Sequence, residues 1–569
     1  MKKLTGYPSI DNIHNSDYSF FSRNPIIPNM SIYNTINLIS NFYRKEEAID
    51  CLDLRVNYGE MLKDAITLSK TLKELGIKKG SIVSAAMPNY YQGVIIYLAC
   101  NRIGAITTFI NSMSSIEEVL GYLNEFESSL FINFDKDKEY NKKIKDGSKV
   151  RNIITLHSNE ISTKNYSSIE TGANGYNDDL SFSDIGSIAK YYKKPIYTLY
   201  GGKEDSLILF TSGSTGNPKS VVLTNENLLA SGIYMKNTGK IKAKVGERCL
   251  VCVPFSYPYG FATSTIMSLI CGRVAVLAPT LSKDNIRYYL SKNPNYVFGS
   301  PALLELIKRN VKDSDDLSSI HTFISGGDFL TPMQNVDGVE FFRKHGANTV
   351  ICNGSGNAET VGRVLVGPKT IVVNPDTLEE LKYGEEGMLC IAGKHIYKGY
   401  YKNEEMTKNT KFMYKGVEYY KTGNMGTLDN EGYFTLTGRS SRYYIRSDLN
   451  KVYLEHIQNV IALIDVVDSV VVVPKPDKDL LFTNKAYVVL KDGVMPTKEI
   501  SDYILDMCYK PIINNITGET IQLKPYEVPE SITFLDTIPR TKADKADYKL
   551  LEELAKEEAE HKTKKRELK

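Results

Sequence analysis

The chain has 569 residues, of which 42% are hydrophobic and 24% charged, and this size and composition predict a globular protein of two or more domains. Its 70 basic and 67 acidic residues nearly balance at a net charge of +3, which excludes a strong electrostatic pull toward nucleic acid. No secretory signal or integral membrane segment is expected, because the two N-terminal lysines precede no apolar core and the most apolar stretch, Val94–Cys100, is far shorter than the ~20 residues of a span.

The first predicted elements alternate between helix and strand. Apolar residues at helical spacing predict an amphipathic helix over Tyr58–Gly76. A strand over Ile82–Met87, a helix over Tyr91–Arg102 and a strand over Ala105–Ile110 follow. This alternation predicts a parallel sheet whose strands are joined by crossover helices. The next segment, Lys136–Gly202, is rich in polar residues, so we expect a variable surface connection rather than core.

A loop rich in hydroxyl groups and glycine follows a short apolar strand predicted at Leu207–Phe210. Gly213 and Gly216 allow successive backbone N–H groups to face one concavity, and Lys219 adds a compact positive charge. These features are typical of a phosphate-binding loop, although a solvated turn between two strands has a similar composition. The hydroxyl donors of the loop are Thr211, Ser212, Ser214 and Thr215.

The stretch TSGSTGNPKS resembles the phosphate-binding signature of the adenylate-forming superfamily, which includes acyl-CoA synthetases, luciferases and the adenylation domains of peptide synthetases. The segment GIKKGSIVSAAMPNYYQ is similar to the opening segment of the same superfamily. Further motifs in the family's order extend the resemblance from about Tyr58 to Leu551. It implies that residues 211–216 and Lys219 bind the phosphates of ATP and that Thr215 also takes part in catalysis.

After this loop the alternation of strands and helices resumes, and the sheet is expected to continue. Cys249 and Cys252 form a CxxC pair inside an apolar run without a second pair or a nearby histidine, so we interpret them as part of a buried strand. The eight scattered cysteines indicate reduced thiols in a cytoplasmic protein. Strands are predicted over Cys249–Pro254, Val274–Ala278 and Tyr296–Gly299, and helices over Phe261–Cys271, Lys283–Ser291 and Leu303–Lys308.

The motif PFSYPYG, Pro254–Gly260, resembles the family's segment that lines the pocket for the carboxylate substrate. Tyr257 replaces the family's usual histidine, and the resemblance implies that Tyr257 and Gly260 line the pocket; a core position for Tyr257 is the alternative. Pro258 stands where amino-acid-activating relatives carry an aspartate. An ordinary α-amino acid is therefore disfavoured as a substrate, because its ammonium group would be buried without an anionic partner.

The motif SGGDFL, Ser325–Leu330, resembles the glycine-rich turn that lies between nucleotide and acyl group in the family. This implies that Gly326 contacts the nucleotide and that Gly327 borders the acyl pocket. A tight strand-to-helix turn with Asp328 near the helix N-cap is the structural alternative. Because open α/β sheets place their ligands at the carboxyl ends of their strands, all of these motifs are expected at one edge of the sheet.

The motif NGSGNAE, Asn353–Glu359, departs from the family pattern at Ser355 and Ala358, where an aromatic residue and a threonine are usual. The loss of the aromatic residue removes a stacking face for adenine, so weaker or altered nucleotide affinity is expected. Glu359 is retained, and the resemblance implies that its carboxylate holds Mg²⁺ on the nucleotide phosphates, a role that needs only oxygen ligands. The nucleotide contacts implied within this motif are Asn353, Gly354 and Ser355.

The segments Gly387–Thr407 and Tyr420–Arg439 continue the resemblance and predict short strands with tight turns, hence a β-rich subdomain. Asn424 stands where the family has an aspartate that accepts hydrogen bonds from both ribose hydroxyls. Asparagine keeps one acceptor oxygen and loses the charge, which costs on the order of 1–3 kcal/mol in nucleotide binding. Arg439 is retained and is also implied to reach the nucleotide.

A second small domain is predicted beyond Arg439, and the resemblance implies a hinge at Ser440–Ser441. Its first strand, RYYIRSDLNKVYLE, carries Asp448 where the family commonly has a glycine. In relatives this strand borders the pantetheine tunnel, so the substitution bears on thioester formation rather than on adenylation. Further strands are predicted over Val466–Val473, Lys485–Leu490 and Ser531–Leu535, and helices over Ile500–Met507 and after Leu454.

The motif IPRTKADK near the end resembles the family's closing motif, with Asp544 in place of a glycine. It implies that Lys545 bridges the substrate carboxylate and the ribose or α-phosphate oxygens during adenylation. The attack of a carboxylate on a phosphate brings two anions together, so an ammonium at the junction stabilises the developing charge. A solvent-facing lysine among many is the alternative. The tail from Leu554 is expected to be a charged helix or a disordered end.

Together these features predict an α/β fold: a large N-terminal domain of parallel-sheet α/β layers with a β-rich subdomain, plus a small mobile α+β lid. The expected divisions are an adenylation domain over 1–438, a lid over 439–552 and a charged tail over 553–569. The resemblance implies an AMP-forming acid–thiol ligase that uses ATP, Mg²⁺ and coenzyme A on a fatty or aryl acid. The alternatives are a stand-alone ligase that loads a separate acyl carrier protein and a binding protein that kept the fold but lost turnover.

Overall fold

The computed structural model describes residues 4–11, 26–164, 166, 179–211, 219–237, 244–327, 330, 332–354, 356–361, 369–439, 443–447, 451–477, 480–513, 520–541 and 545–567. The strands in these ranges are β1 Glu47–Cys51, β2 Leu54–Asn57, β3 Ile82–Ala86, β4 Ile106–Ile110, β5 Leu130–Phe134, β6 Asn152–Leu156, β7 Asp179–Ser181, β8 Asp205–Phe210, β9 Ser220–Thr224, β10 Arg248–Val251, β11 Val274–Leu277, β12 Tyr296–Gly299, β13 Thr322–Ser325, β14 Val350–Asn353, β15 Lys369–Val373, β16 Glu386–Ala392, β17 Gly399–Tyr400, β18 Lys411–Tyr414, β19 Val417–Leu428, β20 Phe434–Arg439, β21 Tyr443–Ile445, β22 Lys451–Tyr453, β23 Val467–Asp477, β24 Leu481–Leu490, β25 Ile512–Ile513, β26 Thr520–Ile521 and β27 Ser531–Phe534.

Helices alternate with the strands along most of the chain. The α-helices are α1 Pro8–Asp11, α2 Ile32–Ile39, α3 Tyr58–Glu74, α4 Tyr91–Ile103, α5 Ile116–Glu125, α6 Lys138–Gly147, α7 Ile185–Ala189, α8 Asn225–Asn237, α9 Met267–Ile270, α10 Ile286–Leu290, α11 Pro301–Asn310, α12 Pro332–Lys344, α13 Glu404–Asn409, α14 Leu454–Ile461, α15 Lys498–Cys508 and α16 Tyr548–Glu567. A π-helix over Tyr259–Ile266 directly precedes α9.

Two large sheets form the N-terminal part of the molecule. One has the strand order β14-β13-β12-β10-β11-β1-β2 and is parallel except for β2. The other has the order β17-β9-β8-β4-β3-β5-β6-β7, and β9 runs against both of its neighbours. A third, antiparallel sheet contains β15, β16, β18, β19 and β20. The predicted α/β class, with parallel sheets and a β-rich subdomain, is confirmed.

The C-terminal part is small and of mixed type, as predicted. Strand β24 pairs with β23 in the antiparallel and with β27 in the parallel direction. The hairpins β21–β22 and β25–β26 and the helices α14 to α16 complete this part. Its core is separate from those of the large sheets and includes Val452, Ile457, Val472, Val488 and Ile504.

The local sequence explains the first helices. Helix α3 begins at a capping box in which the Asn57 side chain accepts from the Glu60 N–H and the Glu60 side chain accepts from the Asn57 N–H. Helix α4 is buried almost all round, so the apolar stretch Val94–Cys100 belongs to the core. No helix in the described ranges is long and apolar enough to cross a membrane. None of the eight cysteines, all of which lie in the described ranges, forms a disulfide bond. Cys249 is buried within strand β10, as predicted, whereas Cys252 lies just beyond the end of that strand and is half-buried.

The prediction that Lys136–Gly202 is a surface connection is wrong. This segment contains α6 and the strand β6, whose residues from Ile153 to Leu156 are buried, and it contributes Tyr166 and Phe182 to the core. The elements are short and separated by long polar stretches, so the segment's composition concealed a few well-placed apolar residues. Composition averages over a segment, whereas burial is decided residue by residue.

Three smaller expectations also need correction. The stretch RYYIRSDLNKVYLE is not one strand: β21 and β22 pair as an antiparallel hairpin, and Asp448 lies outside the described residues. The helix predicted over Phe261–Cys271 begins at Tyr259 as a π-helix. The strand predicted over Cys249–Pro254 is β10, which ends at Val251. In addition, helix α16 runs across the predicted boundary at 552/553, with Ala555 fully buried in it.

Candidate active site

The candidate site lies at the carboxyl edge of the first large sheet, where three neighbouring strands end in register. Gly299, Ser325 and Asn353 are the last residues of β12, β13 and β14 and are consecutive partners across the sheet. The N–H of Gly354 donates to the Ser325 carbonyl at 2.6 Å. The motifs SGGDFL and NGSGNAE therefore lie side by side, as expected for ligand-binding loops of an open α/β sheet.

The glycines of these motifs have distinct structural reasons. A Cβ on Gly354 would lie 3.0 Å from the Ser325 carbonyl oxygen, so a side chain there would have to push the two strand ends slightly apart. Gly327 has φ +88°, a conformation that glycine adopts without strain. Gly326 packs its backbone against the ring of Tyr259, whose hydroxyl donates to the Ile324 carbonyl at 2.6 Å. These observations account for the turn itself; nucleotide contacts by Gly326 and Gly327 stay predictions.

The phosphate-loop motif joins β8 to β9 on the other large sheet. The N–H of Thr211 donates to the Lys219 carbonyl at 2.9 Å, and the N–H of Lys219 donates to the Thr211 hydroxyl at 3.1 Å. These two bonds close the base of the loop. The predicted phosphate ligands within it lie outside the described residues, as does Ser355 of the third motif; they are Ser212, Gly213, Ser214, Thr215 and Gly216.

Lys219 and Glu359, predicted from different motifs, both contact Tyr400. The Lys219 Nζ lies 5.5 Å from the centre of the Tyr400 ring. The Tyr400 hydroxyl donates to Glu359 Oε1 at 2.6 Å, and both side chains are buried. Burial and, next, the charge of Glu359 raise the pKa of Tyr400 far above its usual value, so the hydroxyl stays protonated and donates. An ammonium group and a carboxylate thus share one neighbourhood around Tyr400.

The segment that contains Glu359 is held from several sides. The N–H of Tyr397 donates to the Glu359 carbonyl at 2.9 Å. Val361 has φ +57°, a left-handed conformation that is strained for a β-branched residue, and its carbonyl accepts from the Thr263 hydroxyl at 2.6 Å. Thr263 belongs to the π-helix that begins at Tyr259, within the motif PFSYPYG. The surrounding contacts hold the strained backbone beside Glu359 and tie it to the predicted acid pocket.

A magnesium ion fits the chemistry of this site. Among the described residues, Glu359 Oε1 accepts one hydrogen bond and Oε2 accepts none. The described part of the chain has no group of three or more His, Cys, Asp or Glu side chains that could hold a metal. Mg²⁺ commonly takes one or two carboxylates together with phosphate oxygens and water, so one carboxylate beside a phosphate loop suits that ion.

The pocket motif shows a half-buried Tyr257, which is neither solvent-facing nor fully in the core. Burial raises the pKa of Tyr257, and the hydrogen bond with the Asn111 side chain lowers it in part. A Cβ on Gly260 would lie 2.3 Å from the carbonyl oxygens of Val253 and Pro254, so only glycine fits there. Gly260 therefore has a structural role, and its place in an acid pocket stays a prediction together with that of Tyr257.

Asn424 and Arg439 are directly opposite each other on β19 and β20. Asn424 is buried, and its backbone N–H donates to the Thr422 hydroxyl at 3.1 Å. The side chain of Arg439 lies outside the description. The pairing brings two predicted nucleotide ligands, which are 15 residues apart in the sequence, to one position of the third sheet.

Lys545 is held in the C-terminal part by backbone contacts on both sides of residues 542–544, which lie outside the described residues. The N–H of Thr541 donates to the Lys545 carbonyl at 2.7 Å, and Arg540 forms an isolated bridge with Ala546. Helix α16 follows and buries Leu551 against strands β23 and β24. These contacts fix the Lys545 backbone within the C-terminal part, and the approach of Lys545 to the Lys219–Glu359 neighbourhood stays a prediction.

Sequence reasoning missed Tyr400. The stretch GKHIYKGYYKNEEMT was included in the resemblance, but no role was assigned to its tyrosines. The available signal was the pair of tyrosines, Tyr400 and Tyr401, directly after Gly399 within that stretch. It does not identify a partner, because the hydrogen bond joins residues 359 and 400 from different motifs.

Known proteins resemble this chain over nearly its whole length. The family model for "AMP-binding enzyme" matches residues 40–401, and that for "AMP-binding enzyme C-terminal domain" matches residues 456–545. A long-chain-fatty-acid–CoA ligase of Bacillus subtilis is 24% identical over 94% of this chain and 96% of its own length. A D-alanine–D-alanyl carrier protein ligase of Streptococcus pneumoniae is 24% identical over 92% of this chain and 98% of its own.

Solved structures share the fold. The crystal structure of ATP-bound MatB from Rhodopseudomonas palustris has a TM-score of 0.76 at 20% identity and covers 93% of this chain and 100% of that chain. The anthranilate CoA ligase AuaEII in complex with anthranoyl-AMP has a TM-score of 0.76 at 17% identity and covers 94% and 99%.

Proposed function

Because this chain belongs to the AMP-binding enzyme family, we propose that it condenses a carboxylic acid with ATP to an acyl-adenylate and then transfers the acyl group to coenzyme A. In the first step a carboxylate oxygen attacks the α-phosphorus of ATP and pyrophosphate leaves. In the second step a thiolate attacks the acyl carbon and AMP leaves. The product is a thioester, and the enzyme is an AMP-forming acid–thiol ligase.

The neighbourhood of Lys219, Tyr400 and Glu359 is the observation that carries this proposal. The ammonium group of Lys219 binds anions, whereas the carboxylate of Glu359 binds cations. A nucleoside triphosphate with a divalent cation supplies both partners. Lys219 would hold phosphate oxygens at the exit of the loop that begins at Thr211. Mg²⁺, when bound, would be held by Glu359 and the phosphates and would offset the charge that develops on the leaving pyrophosphate.

The remaining assignments follow the resemblance and form part of the proposal. Asn424 would hold the ribose and Arg439 would also reach the nucleotide. Lys545 would bridge the acid and the ribose or α-phosphate oxygens, which requires the part beyond Arg439 to act as a mobile lid over 439–552. The phosphate loop, with Thr215 as a catalytic member, would enclose the triphosphate. The nucleotide contacts would come from Thr211, Ser212, Gly213, Ser214, Thr215, Gly216, Lys219, Gly326, Asn353, Gly354 and Ser355.

A fatty or aryl acid fits the proposed pocket better than an amino acid. The motif around Tyr257 offers an aromatic side chain, and the position where a carboxylate would be needed for an α-ammonium group is Pro258, which is buried. An ammonium group there would be desolvated without a counter-charge. Gly327 would border the same pocket.

A separate acyl carrier protein is the alternative acceptor. It is favoured by the likeness to the carrier protein ligase of Streptococcus pneumoniae, which covers as much of this chain as the likeness to coenzyme A ligases does. Both acceptors present a thiol at the end of a long arm, so the adenylation step is common to the two candidate functions and only the second step separates them.

The test is to incubate the purified protein with ATP, Mg²⁺ and a panel of fatty, aryl and amino acids, with and without coenzyme A. Pyrophosphate release that depends on one class of acid supports adenylation, and detection of the acyl-CoA by mass spectrometry supports the acceptor. Adenylate that accumulates without acyl-CoA favours carrier loading. ATP binding without pyrophosphate release from any acid contradicts the proposal and favours a binding protein that lost turnover.

A further inference from the structure

We propose that Tyr400 is a positioning residue that holds the Glu359 carboxylate in its metal-binding orientation and couples it to the exit of the phosphate loop. The inference rests on the proposed function, because it concerns the same site. It goes beyond that function in assigning a role to a residue that does not itself touch the substrate.

The hydroxyl of Tyr400 fixes one oxygen of the carboxylate. Its bond to Glu359 Oε1 is 2.6 Å long, and the side chains of Tyr400 and Glu359 are 7% and 6% exposed. The last torsion of a glutamate side chain is broad, so an unbonded carboxylate would sample many orientations. The bond selects one of them and leaves Oε2 without a partner among the described residues.

Backbone pairing fixes Tyr400 itself. Strand β17 pairs with β9, so that Tyr400 is opposite Val221, and the N–H of Tyr401 donates to the Ser220 carbonyl at 2.8 Å. Ser220 directly follows Lys219, at the exit of the phosphate loop. One short segment thus binds the Glu359 backbone through Tyr397, the Glu359 side chain through Tyr400, and the strand that leaves the loop.

The ring and the hydroxyl of Tyr400 contact different neighbours. The ring faces the Lys219 Nζ at 5.5 Å and packs with Tyr397 at 5.1 Å between ring centres, whereas only the hydroxyl reaches Glu359. Tyr400→Phe therefore removes the proposed function and keeps the packing. Tyr397→Phe is the matched control, because that hydroxyl bonds to Thr410 and also interacts with the Tyr400 side chain in the same aromatic cluster, but does not bond to Glu359.

The experiment measures the binding of Mn²⁺, in place of Mg²⁺, to the protein in the presence of ATP without an acid, using the electron paramagnetic resonance signal of free Mn²⁺. Loss of a hydrogen bond to a metal-ligating group typically costs 10–100-fold in metal affinity, so we expect about a 10-fold weaker site for Tyr400→Phe and a change below about 2-fold for Tyr397→Phe. The apparent Mg²⁺ requirement of pyrophosphate release should rise in parallel, with the KM for the acid unchanged.

A second pair of variants guards against a general loss of structure. If Tyr400 acts through Glu359, then Tyr400→Phe should add less than about a 2-fold loss in a Glu359→Gln background, and the melting temperatures of the Tyr400→Phe and Tyr397→Phe proteins should agree. Equal Mn²⁺ affinity in these two single variants, or a full additional loss in the Glu359→Gln background, overturns the inference. A wild-type protein that binds no Mn²⁺ with ATP contradicts the proposed function itself, which separates the two failures.

Discussion

Introducing a carboxylate at position 424, which is an asparagine in this chain, is a stringent test of the proposed nucleotide site. Asn424 is 5% exposed and lies opposite Arg439 on paired strands. If its side chain accepts hydrogen bonds from the ribose, Asn424→Asp adds a charge and a second acceptor oxygen. A hydrogen bond to a charged group contributes about 1.5–3 kcal/mol, against about 1 kcal/mol for a neutral one. The net gain of about 1–2 kcal/mol corresponds to roughly 5- to 30-fold tighter ATP binding.

The same substitution should destabilise the protein without ATP. A carboxylate at so buried a position loses its hydration, and only the bound ligand supplies replacement hydrogen bonds. Without ligand, this loss lowers the free energy of unfolding by about 1–3 kcal/mol. We therefore expect a lower melting temperature without nucleotide and a larger rise on adding ATP and Mg²⁺ than in the wild type. Calorimetric titration with ATP and thermal melting give the two quantities.

The matched control is Asn403→Asp. Asn403 is exposed and caps helix α13, where its side chain accepts from the Met406 N–H at 3.0 Å, a role that aspartate also fills. It makes the same change of charge away from the site. If Asn424→Asp binds ATP no more tightly than Asn403→Asp does, the assignment of position 424 to the ribose is wrong.

Three further substitutions test the packing of the C-terminal part and the close backbone approach at Gly260. Burial raises the pKa of Asp468 in the folded protein despite the nearby positive charge of Arg309. The ionised carboxylate therefore lowers the free energy of unfolding when the pH is above this raised pKa. It has no such effect when the pH is below the pKa of the unfolded chain. Asp468→Asn should raise the melting temperature at pH 7 and lose this advantage as the pH falls below about 4. Glu558 lies 2.9 Å from the buried Lys485 Nζ and is itself partly exposed. We therefore expect Glu558→Gln to lower the free energy of unfolding by about 1–2 kcal/mol. Amide hydrogen exchange in helix α16 should become faster, and unchanged exchange would contradict this expectation. Gly260→Ala should cost about 3 kcal/mol in urea unfolding, since its Cβ meets two backbone oxygens, and a cost below about 1 kcal/mol would contradict the close approach.

The order of the large sheets was accessible from sequence because buried parallel strands appear as short apolar runs. Tyr296–Gly299 was predicted with the bounds that the structure has, and Ile82–Met87 differs by one terminal residue. The π-helix was not accessible. There, the hydroxyl of Thr265 donates to the Gly260 carbonyl at 3.0 Å, and side-chain bonds of this kind compete with regular helix geometry in ways that apolar spacing does not reveal.

The candidate site was predicted in its residues but not in its connections. Glu359 and Lys219 came from separate motifs, and the sequence indicated their types without their proximity. Their link through Tyr400 depends on the pairing of β17 with β9, a contact between distant parts of the chain. Local pattern predicts elements, whereas which distant side chains meet is decided by tertiary packing.

The exchange of radiolabelled pyrophosphate into ATP, in the presence of Mg²⁺ and the acid that gives the highest rate, tests the central claim most directly, because exchange requires the reversible formation of an acyl-adenylate. Lys545→Ala should lower exchange by 100-fold or more, on the order of the loss of one electrostatic stabiliser of a transition state. Lys549→Ala, an exposed lysine on helix α16, should leave it unchanged. Exchange that is absent with every acid, or equal in the two variants, would contradict adenylation at this site.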